Sequence, residues 1–123
     1  MKRKDRIERA KAYLRSQRGY TGTCLYKTKG VDLVVCDTYH DASIVFIAVM
    51  DADARKSIPL FGLGKSQAAK QRGKELVEGA RKWIEENNYK GPYRFDCIWV
   101  GEGGISHGHG ILGNNITVTY SNN

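Results

Sequence analysis

Residues 44–52, IVFIAVMDA, decide how the rest of the chain is read. Seven apolar residues in a row, Ile44 to Met50, are rich in β-branched side chains and predict a strand. A strand that is apolar on both faces belongs at the centre of a sheet with cover on each side. The run ends at Asp51 and Asp53. Side chains alternate along a strand, so Ala48 and Met50 share one face and Asp51 points to the other.

Working outward, VDLVVCD (31–37) and the weaker TCLYK (23–27) predict two more strands, with TYHDA (38–42) as a hairpin loop. Before them, residues 4–18 place Ile7, Ala10 and Leu14 at helical spacing, with Tyr13 beside them. The other faces of that helix are crowded with Arg6, Arg9, Lys11, Arg15 and Arg18, and Gly19 and Gly22 close it. Downstream, residues 52–64 carry Pro59, Gly62 and Gly64 and predict a loop. A long helix is expected over 65–88, with Ala69, Leu76, Ala80, Trp83 and Ile84 as its apolar stripe. Gly91-Pro92 stops it, and YRFDCIWV (93–100) predicts a further strand. The Gly-rich GEGGISHGHGILGNN (101–115) reads as a loop, and ITVTY (116–120) as a last strand. The expected architecture is a single α/β domain over 1–123, with its core in about 4–112 and the order α-β-β-β-α-β-(β).

The chain has 123 residues and a net charge of +7, from 20 Lys and Arg against 13 Asp and Glu. That excess points to a polyanionic partner, nucleic acid ahead of a membrane surface. The longest apolar run, Ile44 to Met50, is too short to span a bilayer. Cys24, Cys36 and Cys97 are odd in number and include no C-x-x-C, which favours reduced thiols. The opening MKRKDRIERAKAYL lacks the apolar region of a signal peptide, so a cytoplasmic location is expected.

Several segments together carry a resemblance. RIERAKAYLRSQRGY, GVDLVVCD, IVFIAVM, GKSQAAKQRGKEL, YRFDCIWV and ISHGHGI occur in order over about residues 6–112. This set resembles the YraN-like family of the restriction-endonuclease-like, or PD-(D/E)xK, fold. The resemblance implies a three-layer domain around a mixed central sheet. It also implies a nuclease centre, in which one strand supplies an aspartate and the next a Glu-x-Lys pair. There the carboxylates would hold Mg²⁺ through hard oxygen ligands and the lysine would help position the attacking water. Asp32 matches the strand aspartate and is the one metal-ligand candidate; Glu8 matches a glutamate of the first helix. Ala48 and Met50 stand where the Glu-x-Lys pair would stand, and neither binds Mg²⁺ or activates water. The resemblance therefore implies a nucleic-acid-binding protein of nuclease fold without hydrolysis, with no cofactor unless the site is active.

Two alternatives remain open. The first is a Mg²⁺-dependent endonuclease of the Holliday-junction-resolvase kind with a relocated site, drawing on Asp51, Asp53, Lys65 or Lys70. The second is a pseudo-nuclease that acts as a protein interaction module; relatives of this fold often pair, which admits a homodimer. For a phosphate backbone, preferably DNA, the expected contacts are Arg6, Arg9, Arg55, Lys56, Lys65, Lys70, Arg72 and Lys74. Tyr20, Tyr26 and Tyr39 have two readings, base stacking or strand packing, of which packing is favoured. His107 and His109 could clip a metal with Cys97 or His40, but the spacing is weak and a flexible loop is the favoured reading.

Overall fold

The computed structural model describes residues 1–24, 30–39, 42–51, 66–113 and 117–121. The described elements are α1 (Arg3–Ser16), β1 (Tyr20–Cys24), β2 (Leu33–Asp37), β3 (Ser43–Asp51), α2 (Gln67–Glu86), β4 (Tyr93–Gly101), β5 (Gly104–His109) and β6 (Thr117–Ser121). The strands form one six-stranded sheet in chain order. β3 and β4 are parallel and every other neighbouring pair is antiparallel. The parallel pair requires a crossover, and α2 lies within it.

The doubly apolar segment behaves as its composition dictates. Val45, Ile47 and Val49 of β3 pack with Ile7, Ala10, Tyr13 and Leu14 of α1. Phe46 and Ala48, on the other face, pack with Ala69, Leu76 and Ala80 of α2. The helices thus cover opposite faces of the sheet, and β3 is buried between them. Ser66 caps α2, its hydroxyl accepting from the Ala69 N–H at 3.0 Å. α2 passes so close to the start of β2 that a Cβ on Gly30 would lie 1.9 Å from the Glu75 carbonyl oxygen. Gly30 also has a φ of +111°, so both the contact and the backbone require glycine there. Trp99 is buried and Trp83 half-buried.

One expectation fails. Much of the Gly-rich stretch is not a loop: Gly104–His109 is strand β5, paired antiparallel with β4 through Ile98↔His107 and Trp99↔Ser106. One of its glycines serves close packing. A Cβ on Gly108 would come within 2.9 Å of the Trp99 ring, so Gly108 makes room for that ring. β1 begins at Tyr20, earlier than expected, and residues 25–27 lie outside the described residues. The segment 52–65 does too, and with it Asp53, Arg55, Lys56 and Lys65. Among the described residues no helix is long and apolar enough to cross a membrane.

Candidate functional site

Asp32 precedes β2 and is 1% exposed. Its backbone N–H donates to the Ile47 carbonyl at 3.0 Å, which fixes it beside β3. Oδ2 accepts from the Val49 N–H and from the Arg72 guanidinium, each at 2.7 Å. Oδ1 accepts from the Arg3 guanidinium. Arg72 belongs to α2 and also donates to the Gly30 carbonyl at 2.6 Å. Arg3 belongs to α1. The two helices, on opposite faces of the sheet, therefore meet at this one carboxylate, and two guanidinium charges face one carboxylate charge.

These surroundings do not fit a Mg²⁺ site, which demands near-octahedral oxygen ligands. Both oxygens of Asp32 already accept from cations. Ala48 offers a buried methyl group, and Met50 packs half-buried against the α2-side core. Glu8 is exposed on α1 and pairs with Lys11 at 3.3 Å. Asp51 is half-buried on β3. The expected carboxylate remnants are not gathered into one cluster.

The basic positions separate more cleanly. Residues 1–18 contain eight Lys and Arg against Asp5 and Glu8, which is six of the chain's seven excess positive charges. α1 turns its apolar stripe to the sheet, and cations flank that stripe. Lys4, Lys11 and Arg15, spaced seven and four residues apart, form a row on one flank. Arg18 continues it beyond the helix and lies over the exposed Tyr39 ring at 4.7 Å from the centroid. On the other flank Arg6 donates to the Met1 carbonyl and Arg9 to the Gly101 carbonyl. On α2, Lys70 and Lys74 are exposed while Arg72 turns in to Asp32. Tyr20, one of the tyrosines weighed for stacking, packs against the α1-side core.

A second polar centre lies under α1, and the sequence reading missed its principal residue. Asp96 of β4 is fully buried. Its Oδ2 lies 2.7 Å from His107 Nε2, and its Oδ1 accepts from the Gly110 N–H at 2.9 Å. The Arg94 guanidinium donates to Asp96 Oδ1 at 3.1 Å, to Asp37 Oδ2 at 3.0 Å and to the Tyr20 hydroxyl at 3.1 Å. The Tyr13 hydroxyl is 2.9 Å from His107 Nδ1. His109 stacks on His107 with ring centroids 3.7 Å apart.

Burial alone would raise the Asp96 carboxyl, but the hydrogen bond and charge of His107 and the Arg94 guanidinium hold it down at about 2. Burial, with the Asp96 charge, pushes the Tyr13 phenol up to about 12. The Tyr13 hydroxyl and the Asp96 carboxylate thus stand at the two ring nitrogens of His107. Cys97 stands next to Asp96 in the chain but packs in the α2-side core, on the opposite face. It is thus no partner for the histidines, and His40 lies outside the described residues. The signal for Asp96 was available in the sequence: an acidic residue inside a strand, opposite His-x-His in the next one.

No protein-family model matches the chain, and no curated protein matches it.

Proposed function

We propose that this chain is a nucleic-acid-binding protein of restriction-endonuclease-like fold, similar to the YraN family, that holds DNA by its backbone without hydrolysing it. The concentration of positive charge on α1 carries this reading. The helix is anchored by its apolar face, so its cations are presented on a rigid support. The row from Lys4 to Arg15 rises about 16 Å along the axis, a length suited to several successive phosphates. The antiparallel pair feeding a central strand, and the crossover helix leading to a parallel neighbour, support the fold assignment. Arg3 and Arg72 at Asp32 support the loss of hydrolysis, because guanidinium groups occupy the carboxylate that would hold the metal. Backbone contact through point charges reads phosphate and not base sequence, so little sequence preference is expected.

The test uses labelled duplex, four-way-junction and single-stranded DNA at low salt, first with EDTA and then with Mg²⁺ or Mn²⁺. The expected result is binding of duplex and branched DNA of unrelated sequence, with every strand intact in metal. Absence of binding at low salt removes nucleic acid from the reading. Metal-dependent nicking that disappears in Asp51→Asn or Glu8→Gln would mean that hydrolysis was relocated and not lost.

A further inference from the structure

The pair of histidines on β5 has no part in the nucleic-acid reading. His107 and His109 are two residues apart in a strand, so both side chains project from the same face, toward α1. Asp96 lies on the neighbouring strand, one step beyond the Cys97↔Gly108 pair, and so faces His109 across the ladder. One ligand atom from each of the three residues can be chosen so that all lie within 4.8 Å of one another. His109 Nδ1 is 3.8 Å from Asp96 Oδ2, and its side chain is 21% exposed, which places it at the rim.

We infer that Asp96, His107 and His109 form a binding site for a transition-metal dication of the zinc class. Two imidazoles and one carboxylate suit Zn²⁺ or Co²⁺ and not the harder Mg²⁺. Asp96 is fully buried, so the ligand carboxylate lies out of water, where it interacts more strongly with a cation.

The hydrogen bonds allow the ion in without dismantling the centre. Asp96 Oδ1 keeps Gly110 N–H and Arg94, while Oδ2 turns to the metal. His107 Nε2 then gives its lone pair to the ion, with the imidazole proton on Nδ1. The Tyr13 oxygen, 2.9 Å from Nδ1, accepts from that N–H. Tyr13 is thus a positioning residue that fixes the metal-binding tautomer. The site lies on the α1 face of the sheet, whereas Ala48 lies on the α2 face.

The test is a titration of the tag-free, metal-stripped chain with Co²⁺, followed by its visible absorption, with Zn²⁺ then added to displace it. One equivalent of Co²⁺ is expected to bind and to be displaced by one of Zn²⁺. His109→Gln, at the rim of the core, should keep the circular dichroism spectrum and lose the site. Tyr13→Phe should retain one equivalent with affinity lower by about 10–100-fold. Absence of stoichiometric binding, or binding that is unchanged in folded His109→Gln, overturns the inference. Unchanged affinity in Tyr13→Phe overturns the role given to the phenol.

Discussion

Two buried aspartates, Asp32 and Asp96, sit in this sheet with different sets of charged neighbours. Asp32 lies where the ends of α1 and α2 converge, with two guanidiniums on one carboxylate, and one of them, on Arg3, is largely exposed. Asp96 lies under α1 with Asp37, so two carboxylates share Arg94 and the imidazoles. The first centre has positive charge to spare and faces outward, which suits an anion. The second gathers two carboxylates, a guanidinium and two imidazoles, and faces inward under α1. The residue type and the burial are the same; the neighbours decide what each can do.

The largest effect that separates them is expected from Asp96→Ala. Removing one partner of a buried ionic network leaves Arg94 and His107 short of an acceptor and costs roughly 3–5 kcal/mol. Urea unfolding with a two-state fit measures it, and a loss below about 1 kcal/mol would mean that the centre is not a stabilising network. Acid should reveal the same centre. The Asp96 carboxyl titrates at about 2 when folded and near 3.8 in its ordinary state. Its folded value is depressed, so its contribution is complete above about pH 4 and is lost as the pH falls through 2. That contribution is about 2 kcal/mol. The difference between the natural protein and Asp96→Asn should therefore shrink between pH 4 and 2, and a constant difference would assign the loss to packing.

Asp32→Asn should cost less, about 1–2 kcal/mol, because Arg3 can return to water and the new amide oxygen can still accept from the Val49 N–H. Its second effect has the opposite sign. Two guanidiniums released from a carboxylate should raise affinity for duplex DNA severalfold at low salt. Weaker binding in a folded Asp32→Asn variant would instead make the carboxylate part of the interface.

The sequence was informative about these two centres to different degrees. Strand β3, both helices and the strand at Tyr93–Gly101 were legible because period and length are local properties. Asp32 was noticed from its place at a strand-like segment, but its neutralisation by Arg3 and Arg72 depends on where two helices lie, which spacing does not encode. Asp96 was overlooked for a related reason. Its role arises from the register of β4 against β5, and the glycines of 101–115 predicted a loop there. Gly108 is small to admit the Trp99 ring, a requirement visible only once the strands are paired. His107 and His109 were weighed as a metal pair with Cys97 or His40, and a flexible loop was favoured. Alternation along β4 sends Cys97 to the opposite core and Asp96 to the histidines.

The outward-facing basic surface is tested most directly by the salt dependence of duplex DNA binding in three proteins. If Lys4, Lys11, Arg15 and Arg18 each neutralise one phosphate, log K should fall with log salt at a slope of about −3.6 for the natural chain. Reversing two of them in Lys4→Glu plus Arg15→Glu should bring the slope to about −1.8 and weaken binding throughout. The control is Arg81→Glu plus Lys82→Glu, an equal change in net charge on the exposed outer part of α2. It should leave the slope near its natural value. A flat response in the natural protein, or equal losses in both double variants, would contradict an interface on α1.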